Sequence, residues 1–116
     1  MYQSSYAEVL ADSTTAARRE ERRALDHAIH LLHCAKTTAI NSIEEQKALS
    51  FVTQLWAFFI KNLASEDNDL PAQLRADLMS VGLGVISEVC RIEAGQSRDF
   101  DGLADICGIV RDGLGG

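Results

Sequence analysis

Proline is nearly missing from this chain, with Pro71 alone among 116 residues. The β-branched residues recur at helical rather than alternating spacing, so strands are excluded as a main element and the chain reads as all-α. Cysteine is sparse and odd in number: Cys34, Cys90 and Cys107 match no metal or redox spacing and exclude a disulfide framework. Reduced thiols in a cytoplasm fit that pattern. Long hydrophobic runs are also lacking. Leu55 to Ile60 and Val81 to Ile86 are the longest, far short of a bilayer span. The opening MYQSSYAEVLAD has no basic start leading into an apolar stretch, so no secretory signal is expected and the protein reads as soluble. Basic charge is in deficit, with a net charge of −6. The deficit lies wholly beyond residue 65, where ten acids face four bases, while residues 1–65 hold seven of each. Such a surface repels phosphate backbones and argues against direct nucleic-acid binding.

What is present suits one modest core, hence a single-domain helical bundle of about four main helices over residues 1–116. Residues 1–12 read as an arm or short helix, since Tyr6, Val9 and Leu10 keep helical spacing for only a turn or two. The first main helix is expected over about 14–39, capped by Ser13, Thr14 or Thr15, with Leu25, Ala28, Ile29, Leu32 and Ala35 as its apolar stripe. The second covers about 42–64 and opens with a capping box between Ser42 and Glu45. The third covers about 71–94, with Pro71 at its first helical position and its end near Gly95. The fourth, about 98–113, carries Leu103, Ile106, Cys107, Val110 and Leu114, is capped by Ser97 or Asp99, and is stopped by the glycines after Asp112.

The middle helices hold more apolar surface than one buried face requires. Stepping about 100° per residue places Leu49, Val52, Trp56, Phe59, Ile60 and Leu63 on one stripe, and Phe51 with Phe58 on a second, with Leu55 between them. The third helix pairs a main stripe of Leu74, Leu78, Val81, Val85, Val89 and Ile92 with a second one of Met79, Leu83, Ile86 and Cys90. Burying Phe51, Phe58, Met79, Leu83, Ile86 and Cys90 is worth on the order of 10 kcal/mol, comparable to the net stability of a domain. Either other helices of the chain cover this surface or a partner polypeptide does. Gly82 and Gly84 each cost about 1 kcal/mol relative to alanine in mid-helix, which a close approach by a neighbouring backbone, or a kink, would explain.

Catalytic chemistry is not evident. His27, His30, His33 and Cys34 form the only candidate metal cluster, but no second Cys or His pair completes a tetrahedral site, and solvated histidines with a pH-sensitive contact are the simpler reading. Arg18, Arg19, Arg22 and Arg23 are interrupted by Glu20 and Glu21 and lack interleaved aromatics, as a solvated helix start does. Glu66, Asp67 and Asp69 lack the ligand series of a calcium loop. With all histidines within seven residues of one another and no strand to carry a phosphate loop, the chain reads as a non-enzyme without cofactor or metal.

The segments M-Y-Q-S-S-Y-A-E-V-L, D-N-D-L-P-A-Q-L-R-A-D-L, S-V-G-L and F-D-G-L-A-D-I-C-G-I-V-R-D-G-L together resemble the FlaF family of flagellar biosynthesis proteins, over nearly the whole chain. One departure is Gly84, where many members carry tryptophan. The resemblance implies a small cytoplasmic protein that binds flagellin, supports its production and export, and acts opposite FlbT, a repressor of flagellin translation. Joined to the surplus stripes, it leads to the expectation that Phe51, Leu55, Phe58, Met79, Leu83 and Ile86 line a groove for an amphipathic terminal helix of flagellin, with the two phenylalanines as anchors. Two alternatives remain open at this point: a regulator acting on flagellin mRNA or its translation, and a homodimeric helical adaptor whose functional contact lies elsewhere.

Overall fold

The computed structural model describes residues 2–115, with side chains described for residues 17–113. Four antiparallel helices follow in chain order: α1 (Tyr2–Lys36), α2 (Ile43–Ala64), α3 (Ala72–Glu93) and α4 (Phe100–Gly115). No strand occurs among the described residues. The fold is the all-α bundle that the spacing requires.

The first helix differs most from expectation. Rather than an arm followed by a helix from residue 14, α1 is continuous over 35 residues. The segment contains neither proline nor glycine, so nothing in it breaks the hydrogen-bond ladder and Ser13, Thr14 and Thr15 are spanned as helix interior. At about 1.5 Å per residue α1 is some 52 Å long and sets the long axis of the molecule, whose extents are 59 × 25 × 19 Å. The side chains of Tyr6, Val9, Leu10, Ser13, Thr14, Thr15 and Leu114 lie outside those described.

Helix ends follow local chemistry. The Ser42 hydroxyl accepts from the Glu45 amide at 3.1 Å, the first half of a capping box. The second half is displaced: the Glu45 carboxylate reaches past Ser42 to the amide of Asn41 at 2.7 Å, and Asn41 has a positive φ of 62°. The amide of Ser42 turns instead to the carbonyl of Ala39. The other Glu45 oxygen accepts from Arg98 at 3.4 Å, so this buried carboxylate links the start of α2 to the α3–α4 loop. Pro71 stands at the cap of α3, one position before the expected one, because its ψ of 144° is extended. Gly95, at φ 77°, ends α3, with the Gln96 amide closing onto the Arg91 carbonyl at 2.8 Å. Asp99 caps α4 by accepting from the Gly102 amide at 3.0 Å. That helix runs on through Gly113 to Gly115, past the glycines expected to stop it.

Packing follows the order α3–α2–α1–α4. The adjacent pairs pack closely, whereas α3 and α4 come together only weakly. The core holds Leu25, Ala28, Leu32, Val52, Trp56, Val85, Val89, Phe100, Leu103 and Cys107, all essentially without solvent exposure. Two ion pairs fix the antiparallel register of α4 on α1, Lys36–Asp101 at 2.7 Å and Arg111–Asp26 at 2.8 Å. Both are exposed and screened by solvent, so they set register more than stability.

Gly82 is the close approach in α3, but to side chains rather than a backbone. A Cβ there would lie 2.9 Å from Ile60 Cγ1 and 3.1 Å from Trp56 Cε3, while one at Gly84 meets nothing within 4 Å. Gly84→Ala is therefore expected to stabilise the fold by up to about 1 kcal/mol through helix propensity. Gly82→Ala is expected to destabilise it by about 1 kcal/mol, because Trp56 is sealed in the core and cannot yield. Thermal or urea denaturation of the two variants checks the opposite signs.

Candidate helix-docking site

The six residues expected to form one groove are not brought together. Phe51 and Ile60 lie about 180° apart around α2. Phe51 faces α1, its ring in T-shaped contact with His27 at 4.8 Å between centroids, whereas Ile60 and Trp56 meet Gly82 of α3. Phe51 and Phe58 therefore stand on the α1 side of α2, and Met79, Leu83 and Ile86 are carried by the helix on its opposite side. Leu55 is buried in the core, and Phe51 and Ile86 are half-buried against it. Met79 is also half-buried. Only Phe58, 53% exposed, and Leu83, 60% exposed, are largely open to solvent.

A better-formed concavity lies elsewhere. Because α4 packs on α1 and only weakly on α3, the seam between α3 and α4 is the open side of the bundle. On α3, Leu74 and Val81 are 43% and 37% exposed, and they share a stripe with Leu78. That stripe lies on the flank away from Ile60. On α4, Ile106 and Val110 are half-buried, and neighbouring Ile109 is 72% exposed. Leu78 and Val110 line a pocket of about 330 Å³ whose other apolar walls include Ala17, Trp56, Phe59 and Leu63 and whose remaining lining comes chiefly from polar residues of α1, α2 and the α2–α3 loop. Helix lengths account for it: α4 has 16 residues against 22 in each of α2 and α3, so one corner of the bundle is left without a fourth wall.

The far rim of the pocket is the α2–α3 loop, held by its own polar groups. Arg75 donates to the carbonyls of Leu63 at 2.9 Å and Ser65 at 3.3 Å, closing the end of α2. Asn68 donates to the Asn62 carbonyl at 3.1 Å and accepts from the Leu70 amide at 3.0 Å. This places Asp67 and Asp69 at the mouth, both exposed. Across from them on α1 are Arg18 and Glu21. Burial pushes the Glu21 carboxyl above its usual range, and the nearby Arg18 charge offsets part of the rise. Behind the pocket, burial raises the Cys107 thiol, an effect tempered by the Trp56 indole beside it. The indole nitrogen has no hydrogen-bond partner of good geometry.

The other sequence candidates stay apart from this site. Cys34 Sγ lies 3.7 Å from His30 Nε2 on an exposed face of α1, but no group of three or more potential metal ligands converges among the described residues. The arginines of α1 do not make one basic face: Arg23 pairs with Glu20 at 2.9 Å, Arg18 lines the pocket, and Arg22 is half-buried with its Nε unpartnered. No described helix is long and apolar enough to cross a membrane. Sequence reading assigned Trp56, Phe59, Leu63, Leu78 and Val110 to the core stripes and so overlooked the pocket. The available signal was the shortness of the fourth helix.

The raised Glu21 value carries a sign for stability. The folded state holds the Glu21 proton to higher pH than the unfolded chain, so stability falls as pH rises from the ordinary value of 4.5 through the higher folded one. Glu21→Gln should remove this loss. Melting temperatures of the two proteins are expected to converge near pH 4 and to separate, variant higher, toward pH 7.

Among curated proteins and among solved structures, none matches this chain. The family model described as "Flagellar protein FlaF" matches residues 2–114, nearly the whole length. The chain therefore belongs to the FlaF family and is a flagellum-related helical protein.

Proposed function

We propose that this protein is a non-enzymatic cytoplasmic chaperone that holds an amphipathic terminal helix of flagellin along the α3–α4 seam and so promotes flagellin's synthesis and export. The observation that carries the reading is the pocket to which α3 gives Leu78 and α4 gives Val110, with half-exposed Leu74 and Val81 on the same stripe of α3 as Leu78. An amphipathic helix offers anchors at i, i+3, i+4 and i+7. Leu74, Leu78 and Val81 repeat at matching intervals along one wall, and Ile106 with Val110 along the other. Unassembled flagellin ends are the kind of segment that needs such cover, and membership of a flagellar family supports flagellin as the cargo. A homodimer through the α1–α2 flank is a second reading, supported by exposed Ile43 and Phe58.

Leu74→Asp with Val81→Asp should lower flagellin capture at least tenfold without loss of helix content, since both side chains already meet solvent. Phe51→Ala with Phe58→Ala should leave capture intact. Docking should also persist at high salt, as apolar contact predicts and nucleic-acid binding does not. Co-purification with full-length and end-truncated flagellin, followed by light scattering, checks these outcomes. The reverse pattern between the two double variants would move the site to the α1–α2 flank.

A further inference from the structure

Resting on that reading, we infer that the pocket selects a partner helix presenting a bulky apolar side chain with a lysine or arginine within one turn of it. The floor is apolar, made by Trp56, Phe59 and Leu63, and its volume of about 330 Å³ has room for a side chain of the size of leucine or phenylalanine. The rim is acidic. Arg75, behind the α2–α3 loop, directs its guanidinium to the Leu63 and Ser65 carbonyls. Of the four ionisable residues that line the pocket, Arg18 and Glu21 offset one another, which leaves Asp67 and Asp69. Neither has an ion-pair partner among the described residues.

These two carboxylates do not belong to a floppy connection. The Asn68 side chain ties the turn between them to the end of α2 and to Leu70, and Arg75 fixes its start at Ser65. A charge held at the edge of a low-dielectric pocket discriminates among partners more strongly than the same charge free in water. A helix that seats an apolar anchor on Trp56 and Phe59 brings residues one turn away to the pocket mouth, where a cation is drawn in and an anion repelled. The seam thus supplies affinity and the Asp67–Asp69 rim supplies register, deciding which turn of the partner enters the pocket.

The test uses the full chain and three 18-residue amphipathic helical peptides of one design: a leucine anchor flanked by lysines, the same anchor flanked by glutamates, and an alanine anchor flanked by lysines. Binding is read by calorimetry and by the fluorescence of Trp56, the only tryptophan. The expected order places the leucine–lysine peptide at least tenfold tighter than either of the others at low salt, with the gap to the glutamate peptide narrowing as salt rises. Asp67→Lys with Asp69→Lys should invert the lysine–glutamate preference. Glu44→Lys with Glu93→Lys, an equal charge change at the opposite end of the bundle, should not invert it. Equal binding of both leucine peptides, or inversion by the distant pair, overturns the inference while leaving the docking reading intact. No binding by any peptide overturns both.

Discussion

The packing of α4 against α1 is the constraint on which the rest of the structure depends. α4 turns Gly108 toward Ile29 of α1, and the two helices pack closely beside buried Leu32, Phe100, Ala104 and Cys107. A Cβ on Gly108 would still lie 3.9 Å from Ile29 Cδ1, ordinary contact distance, so the fit there is close without being strained. Two ion pairs fix the register. α4 packs closely on α1 and α3 on α2, while α3 and α4 do not pack closely on each other.

At the other end of the bundle, α2 and α3 define the pocket's depth. Trp56 packs edge-on to Phe59 at 5.4 Å between centroids, and Gly82 lets Trp56 and Ile60 press against α3 without a side chain between them. Arg75 then closes the last turn of α2 by donating to the Leu63 carbonyl and, just past the helix, to the Ser65 carbonyl, which also accepts from the Asn68 amide. A firm floor and an ordered rim are what a docking site needs if it is to recognise a helix at low entropic cost.

Much of this fold was legible in the residues. Periodicity gave the helix count, Ser42 and the pair Ser97 or Asp99 marked two helix starts, with Asp99 the residue that caps α4, and Gly95 marked the end of α3. What was not legible required a third dimension. The second stripe of α2 is covered partly by His27 of α1, and that of α3 lies across α2 from it, because a helix wheel shows that a face is apolar and not which neighbour it meets. The length of α1 departs from the residue pattern for a local reason. Ser, Thr and Thr at 13–15 resemble a cap, yet a residue type that favours caps is tolerated inside a helix when no proline or glycine enforces the break. The spacing of Ser42 and Glu45 implies a local cap, while the bond from Arg98 to Glu45 joins residues 53 positions apart that no short-range pattern connects.

The proposed chaperone role requires a partner helix to lie along the α3–α4 side of the bundle. Amide chemical-shift mapping of the labelled protein with a flagellin terminal fragment tests that directly, with the single Trp56 indole as an internal reporter of the pocket. The expected result is a continuous track of perturbed signals through Leu74, Leu78, Val81, Ile106 and Val110, ending at the Trp56 indole. Perturbations confined to Phe51, Phe58 and the adjoining face of α1, with the indole signal unmoved, would contradict it.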